Sequence, residues 1–366
     1  MDPLARQHAS ELDQLRRGLA DLAVDAHFDG DPTMDERYGP GGRRIWKTEA
    51  ASRLAQLVEA MACDRPQFYG GHAAWSIAAL RARNVPEDDI RNHLASIAAA
   101  LDAELPEAVK ERARRFTAAA NEAAASPCSD DRGLLAEQSR DATLARLYLL
   151  NLLQRDAEEA TKLAMDALRG GMTLSAVYEQ VVTPALAEVG RMWHVQEASI
   201  ADEHFCTAAT RTIVAQLRAA TSAKPADGRR AVCFAVGGDM HDLVIRMASD
   251  LLELDGWSVE FLGADMPSSE IVMTLEAASA DPASRFHLVV AGAGTNLAIR
   301  SMMELASALK GSPECAGVAL LVGGRPFALD PGLATAIGAD ASVRRLSEVV
   351  DAAARLVPVP HAPTRR

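Results

Sequence analysis

The chain has 366 residues, of which 49% are hydrophobic and only 4% aromatic, and its formal net charge is −12 at pH 7. This length accommodates two or three domains, and the negative charge argues against direct nucleic-acid binding, because a duplex requires a positive face. The five cysteines are scattered without a CxxC spacing, which predicts neither a disulfide framework nor a zinc site and is typical of a reducing cytoplasm. The N-terminus lacks the apolar core of a signal peptide, and no apolar run reaches the roughly 18 residues of a membrane span, so we expect a cytoplasmic protein without a membrane segment.

Residues 1–125 carry the pattern of an all-α domain of about five helices. Apolar residues recur at helical spacing over 9–26 and again over 47–62, and a loop rich in glycine and proline lies between them at 29–42. Proline is tolerated in the first turn of a helix, because its missing N–H would have no partner there in any case. Three prolines are placed to begin the remaining helices: Pro66, Pro86 and Pro106.

Aromatic residues of this domain gather within one predicted helix. Phe68, Tyr69, His72 and Trp75 lie close together, and positions 68, 72 and 75 share one helical face. One interpretation is a core stripe with a hydrogen-bonded histidine, and the other is the wall of a pocket for a flat, conjugated ligand. Basic side chains just upstream could pair with the carboxylates of such a ligand: Arg43, Arg44 and Lys47.

A polar segment of small residues at 122–133 predicts a linker, and helical periodicity returns over 134–220. Short connections join the predicted helices, which favours an antiparallel four-helix bundle. The four helices are predicted at Asp141–Gln154, at Ala157–Arg169, from Thr173 to Val189, and at Ala201–Ala220.

Two pairs of residues distinguish this bundle. Trp193 and His194 follow its third helix, and Glu203 and His204 begin its fourth. One interpretation is structural, with the indole filling the bundle and the histidine satisfied in the core. The other is a binding site, because Trp193 and His194 are predicted on a connecting segment and because an apolar bundle buries a carboxylate only for a reason.

Residues 229–358 alternate strand and helix five times, which predicts a Rossmann-like, doubly wound parallel sheet. The first strand, Ala231–Val236, is apolar throughout, as a strand covered on both faces should be. Further strands are predicted at Ser258–Leu262, His287–Ala291 and Val318–Val322, with a short one near Ala341.

Ligands bind such sheets beyond the carboxyl ends of the strands. Asp239 and His241 follow the first strand, and a neutral imidazole with a carboxylate two residues before it is a ready metal ligand. An ordinary nucleotide-binding sheet is the alternative, although the first loop lacks GxGxxG. Glycines that allow a bulky ligand to approach the backbone, with one threonine, follow the later strands: Gly263, Gly292, Gly294, Thr295, Gly323 and Gly324.

These residues carry a resemblance. The segment from Leu134 to Val357 resembles the bundle-plus-sheet module of cobalamin-binding proteins, and the Asp239-x-His241 loop resembles their DxHxxG motif. The resemblance implies that His241 replaces the cofactor's own base beneath cobalt. The tail of that base would then lie in a slot lined by Gly263, Gly292, Thr295, Gly323 and Gly324. Two positions depart from the pattern, since Val244 stands where the motif has glycine and Gly292 stands near the usual serine.

The spacing Trp193-x9-Glu203-His204 resembles the signature of CarH-type photoreceptors, which bind adenosylcobalamin. This resemblance implies that Trp193 packs over the upper adenosyl group and that Glu203 hydrogen-bonds its sugar. It also implies that His194 takes the upper cobalt site after light removes the adenosyl group, with His204 supporting the site from beside it. The expected function is a light sensor rather than an enzyme, which signals through a homo-oligomer such as a dimer or through a separate partner.

Residues 1–125 are similar to the globin-like domain of photocobilins, which pair a bilin-binding domain with this module. That similarity implies biliverdin near Phe68, Tyr69, His72 and Trp75, and Cys63 is a candidate for covalent attachment, although buried cysteines are usually inert. The main alternative function is a corrinoid methyl carrier of a methyltransferase system. Two others are a radical mutase subunit, which would need a preceding barrel, and a partner-binding regulator whose site is degenerate and empty.

Overall fold

The computed structural model describes residues 2–125, 135 and 140–359. The chain divides into two compact units, Met1–Asp131 and Arg132–Arg366. Most of the predicted linker at 122–133 lies outside the described residues, as does the predicted first residue of the bundle, Leu134. None of the helices formed by the described residues combines the length and the apolar character needed to cross a membrane.

The N-terminal unit is all-α, as predicted. Its five long helices lie where the periodicity and the three prolines place them, although α1 is longer at both ends than the 9–26 pattern. Nothing tests the globin-like likeness, which stays a prediction. The helices are α1 (Pro3–Gly30), α2 (Met34–Tyr38), α3 (Gly42–Cys63), α4 (Pro66–Ala82), α5 (Glu87–Glu104) and α6 (Glu107–Ala125).

The loop predicted at 29–42 is wrong in part, because most of it is helical. α1 continues to Gly30, α2 follows after a short turn, and a 3₁₀ turn at Gly39–Gly41 leads into α3. Arg37 fixes this segment by donating hydrogen bonds to Asp31 (2.7 Å) and to Asp89 of α5 (2.8 Å). The glycines and prolines of this segment predicted a loop, but these ion pairs, one of them to the distant Asp89, stabilise it as helix.

The C-terminal unit begins with the predicted bundle. Side-chain caps fix its helix starts: the Asp156 carboxylate accepts from Glu159 N–H, the Thr173 hydroxyl accepts from Ala176 N–H, and Ser199 and Asp202 form a capping box. The helices are α7 (Arg140–Leu153), α8 (Ala157–Arg169), α9 (Leu174–Val177), α10 (Thr183–His194) and α11 (Ile200–Ala219).

The third bundle helix is longer than predicted. A π turn at Tyr178–Val182 joins α9 to α10, so the backbone remains helical from Leu174 to His194. The wide turn immediately precedes Pro184, whose missing N–H interrupts the ordinary ladder, and Thr183 N–H instead reaches back to Tyr178 C=O. Trp193 therefore lies in the last turn of α10, and its placement on a connecting segment was wrong.

The sheet has five parallel strands in the order β2-β1-β3-β4-β5, which confirms the doubly wound architecture. The strands are β1 (Arg230–Val236), β2 (Ser258–Met266), β3 (Leu288–Ala293), β4 (Ala319–Gly324) and β5 (Ala341–Val343). The helices are α12 (Leu243–Leu254), α13 (Ser268–Ser279), α14 (Ile299–Gly311), α15 (Arg325–Leu329), α16 (Leu333–Ile337) and α17 (Val349–Leu356).

The bundle and the sheet share one hydrophobic core, which fixes the bundle over the strand ends. Tyr178 is fully buried in this core, and its hydroxyl donates to Asp250 Oδ2 of α12 at 2.8 Å. Arg218 of α11 donates to Glu253 of α12 at 3.1 Å. Two polar links thus hold α12, the helix that follows the His241 loop, against the bundle.

Candidate functional site

His241 is held in a defined orientation by Asp239. Its Nδ1 lies 2.7 Å from Asp239 Oδ1, and its backbone N–H donates to the same oxygen at 2.9 Å. The other carboxylate oxygen of Asp239 accepts from Gly294 N–H. Asp239 is fully buried while the His241 side chain is 66% exposed, so the imidazole points Nε2 away from its anchor and towards the surface of the sheet edge.

The electrostatics of this pair follow from its geometry. Burial raises the pKa of Asp239, but the hydrogen bonds from His241 and Gly294 outweigh burial and lower that pKa overall. The Asp239 hydrogen bond raises the pKa of His241, against burial and with smaller contributions from the Glu203 and Asp242 carboxylates. The imidazole is therefore an electron-rich donor whose second nitrogen is available to a metal.

Gly294 makes room for this imidazole. A Cβ atom at position 294 would lie 2.6 Å from His241 Cβ and 2.7 Å from His241 Cγ, so any side chain there would displace the ring. His241 follows β1 and Gly294 follows β3, and the strand order reverses between these two neighbouring strands. The pair thus lies at the topological switch point, where doubly wound sheets bind ligands.

The remaining predicted residues of the sheet lie along the same carboxyl edge, with one correction. Gly263 does not follow β2, because β2 runs on to Met266 and Gly263 sits within it at a register shift, with a φ of 81°. Gly292 is the second-last residue of β3 and lies against the Ile245 side chain, and Thr295 is the second residue after that strand. Gly323 and Gly324 end β4, and a Cβ on Gly324 would overlap the Ala293 carbonyl.

Helix α11 brings Glu203 to the His241 side of the bundle. Arg211, two turns along from Glu203, donates two hydrogen bonds to Asp242, at 2.9 and 2.7 Å. Glu203 is half-buried, accepts from the Thr207 hydroxyl at 2.9 Å, and acts electrostatically on His241. His204 is exposed and lies 3.6 Å from Glu203 Oε2. Glu203 is predicted above a ligand and His241 below it, and the two side chains are therefore close enough to interact electrostatically.

Trp193 and His194 end α10 in different surroundings. The Trp193 indole is 38% exposed, whereas His194 is only 6% exposed. The Trp193 indole could therefore contact a ligand without moving, whereas the His194 imidazole would have to leave its buried position to reach one.

Sequence reasoning missed an apolar rim at this end of the unit. Large apolar side chains are exposed around the predicted site, where a flat ligand would cover them. They are Met240, Val244 and Leu297 at the strand ends and Ile200 at the start of α11. The signal was present at position 244, where valine in place of the motif's glycine adds an exposed apolar side chain to this rim. Arg211 carried no signal, because its partner is 31 residues away.

The four aromatic residues predicted to line a bilin pocket are divided between core and surface. Phe68 and Tyr69 are buried, whereas Trp75 is 39% exposed and stacks on His72, with ring centroids 5.7 Å apart. Cys63 is buried. Two of the basic residues proposed to pair with a ligand are already paired, Arg43 with Asp29 and Asp35 and Lys47 with Asp21 and Asp25.

Two domain models match the C-terminal unit. Both are described as a B12 binding domain, one matching residues 144–218 and the other residues 229–355. The C-terminal unit is a cobalamin-binding module. The bundle and sheet boundaries predicted at 134–220 and 229–358 enclose the two matched ranges. Among curated proteins, no significant sequence match is found.

Three of the solved structures to which the chain is similar have a corrinoid or cobalamin in their names. The monomethylamine corrinoid protein of Methanosarcina barkeri is 16% identical, covering 59% of this chain and 100% of that chain with a TM-score of 0.49. A cobalamin-binding protein of Desulfitobacterium hafniense DCB-2 is 20% identical, with coverages of 58% and 98% and a TM-score of 0.32. The methanol:cobalamin methyltransferase complex MtaBC of M. barkeri is 14% identical, with coverages of 71% and 92% and a TM-score of 0.30. At these scores the cofactor assignment rests on the domain models and the site residues.

Proposed function

We propose that the C-terminal unit binds a corrinoid with His241 as the ligand beneath cobalt. The observation that carries this proposal is the exposed His241 imidazole, which buried Asp239 holds in place by a hydrogen bond. Gly294 leaves space for the ring because it has no side chain, and both residues lie where the strand order reverses. One histidine from the protein is sufficient for such a site, because the corrin ring supplies the equatorial ligands itself.

We propose further that the cofactor is adenosylcobalamin and that the protein is a light sensor. When bound, this cofactor supplies a cobalt–carbon bond that visible light breaks. Trp193 would cover the upper ligand with its exposed indole, and Glu203 would accept hydrogen bonds from the ribose hydroxyls. The Trp-x9-Glu-His spacing and the interaction of Glu203 with His241 support this assignment.

The same residues suggest how a signal would leave the site. His194 would move from its buried position at the end of α10 to the upper face once Trp193 has lost its contact. That movement would shift the end of α10 relative to α11, and such a local change biases a two-state element. The output would be a change of homo-oligomer, such as a dimer, or the release of a separate partner.

A corrinoid methyl carrier is the second candidate. Two of the solved structures with similar folds are named as a monomethylamine corrinoid protein and a methanol:cobalamin methyltransferase complex. A methyl carrier needs an open upper face to pass its methyl group to a partner enzyme. The bulky Trp193 at the end of α10 and Glu203 in the first turn of α11 favour the light sensor, because side chains over the upper face would obstruct that transfer.

For the N-terminal unit we propose biliverdin as a ligand, on the photocobilin likeness. Tyr69 and Phe68 would contribute from the core side, and the His72–Trp75 stack would contribute at the surface. Adding biliverdin to the purified apoprotein should produce a red absorption band. A free-pigment spectrum, unchanged by the protein, contradicts this part of the proposal.

One experiment separates the two corrinoid functions. The full chain is mixed with adenosylcobalamin or methylcobalamin in the dark, and binding, absorption and oligomeric state are measured before and after green light. A light sensor prefers the adenosyl form, changes its oligomeric state or partner binding on illumination, and loses its preference in Trp193→Ala. Trp75→Ala, which removes an equally exposed indole from the other unit, is the matched control.

A preference for methylcobalamin that Trp193→Ala leaves unchanged supports the methyl carrier instead. Failure to bind either corrinoid overturns both functions.

A further inference from the structure

The N-terminal unit contains buried polar side chains that the described residues do not satisfy. His27 of α1, Arg53 of α3 and His93 of α5 are each no more than 4% exposed. Within the described part of the chain, both ring nitrogens of each histidine and all three guanidinium nitrogens of Arg53 lack a hydrogen-bond partner. Buried polar atoms are nearly always hydrogen-bonded, so this concentration of orphaned donors requires an explanation.

Aromatic rings surround these groups. The Trp46 ring centroid lies 5.2 Å from that of His27 and 4.6 Å from that of His93, and the two imidazole centroids are 5.7 Å apart. Burial raises the pKa of Tyr69, and the positive charge of Arg53 opposes that rise. We call His27, Trp46, Arg53, Tyr69 and His93 the buried cluster.

The charge of the cluster is incompletely balanced. Arg53 Nε lies 3.0 Å from Glu49 Oε1, which gives the guanidinium one ionic neighbour but leaves its two terminal nitrogens without an acceptor. The carboxylate of Asp89 is already held by Arg37 and by the Tyr38 hydroxyl, which donates to it at 2.6 Å. Burying a guanidinium raises the free energy of the folded chain unless its N–H groups are hydrogen-bonded. We therefore expect a hydrogen-bond acceptor at this site.

The neighbouring charge decides which kind of ligand the site would take. Two imidazoles 5.7 Å apart could share a metal ion, but Arg53 would repel a cation beside them. Burial lowers the pKa of His27, and burial with the charge of Arg53 lowers that of His93, so both rings are neutral and each can donate one N–H. A fixed guanidinium fork with imidazole donors is the arrangement that recognises an oxyanion.

We propose that the buried cluster binds the carboxylate or phosphate group of a small molecule. The fork of Arg53 takes two oxygens, an imidazole N–H of His93 or His27 adds a further hydrogen bond, and the Trp46 ring covers the adjoining flat part of the ligand. This inference does not depend on the corrinoid proposal, because every residue involved lies in the N-terminal unit.

Calorimetric titration of the full chain tests the inference with three probes: inorganic phosphate, benzoate and biliverdin. Binding of at least one probe is expected, with a loss of tenfold or more in Arg53→Met, which keeps the length of the side chain and removes the fork. His93→Phe, which keeps a ring and removes a donor, should weaken binding less. Arg91→Gln, which removes an exposed arginine of α5 paired with Asp88, should bind as the wild type does.

The probes also separate the sources of the anion. Tighter binding of phosphate assigns the site to a phosphate ligand, and tighter binding of benzoate or biliverdin assigns it to an organic carboxylate. If none of the probes binds, or if Arg53→Met and His93→Phe both bind as the wild type does, the inference is overturned.

Discussion

Arg211 and Asp242 join the two layers of the cobalamin-binding module through two hydrogen bonds, at 2.9 and 2.7 Å. Asp242 is the residue after the proposed cobalt ligand, and Arg211 lies on the helix that carries Glu203. This pair therefore links the loop that carries the proposed lower ligand to the helix that carries Glu203.

The link should be measurable as a coupling between the two side chains. Arg211 is half exposed, so solvent screens the pair and we expect a coupling of about 0.5–1 kcal/mol, rather than the larger value of a buried pair. A double-mutant cycle with Arg211→Gln and Asp242→Asn, read by urea unfolding, measures it. Additive single effects would show that Arg211 and Asp242 do not contribute to holding the two layers together.

Gly294 should be required for the orientation of His241. Gly294→Ala places a methyl group within 2.7 Å of the imidazole, which must shift, and we expect corrinoid affinity to fall by about tenfold or more, as for groups that orient metal ligands. Gly18→Ala is the control, because a Cβ on this helical glycine meets nothing within 4 Å. Equal corrinoid affinities for the two variants would contradict the proposed role of His241 as the ligand beneath cobalt.

His194 should matter only after illumination. Because His194 is only 6% exposed and Trp193 is the side chain proposed to cover the upper face, His194→Ala should still bind adenosylcobalamin in the dark. After green light the variant should lack the stable spectrum of a corrinoid held by two histidines. Absorption spectra of both proteins, recorded before and after the same exposure, make the comparison, and an unchanged photoproduct excludes His194 from this role.

The sequence predicts the candidate site through local features and misses what depends on distant residues. The contact between Asp239 and His241 was predictable because both residues lie in one loop, two positions apart. Trp193 was misplaced because the third bundle helix, predicted to end at Val189, continues through Gly190 to His194. The buried cluster could not be predicted from the sequence, because His27, Arg53 and His93 come from three helices and each resembles an ordinary helical residue.

The N-terminal unit should lose stability in mild acid. Burial lowers the pKa of His27 and His93 in the folded chain below the ordinary 6.5. Below pH 6.5 the unfolded chain therefore binds more protons at these residues than the folded chain does. Their contribution is complete above pH 6.5 and falls as the pH drops below it, by at most about 1.4 kcal/mol per pH unit for each histidine. Asp89 and Asp31 oppose this effect at His27.

Thermal unfolding of the full chain at pH 7 and pH 5 measures this dependence. His93→Gln, which is neutral at both pH values, should reduce it, whereas His204→Ala, which removes an exposed histidine, should not. A pH dependence that His93→Gln leaves unchanged would place the acid sensitivity elsewhere in the chain.

Electron paramagnetic resonance of the bound cobalt(II) corrinoid tests the central claim most directly, because the splitting of its signal reports the nitrogen beneath cobalt. With protein labelled uniformly with nitrogen-15 and an unlabelled cofactor, ligation by His241 predicts a two-line splitting in the wild type, which is lost in His241→Ala. A three-line splitting in the labelled wild type would show that the cofactor's own base remains in place, and would contradict the account.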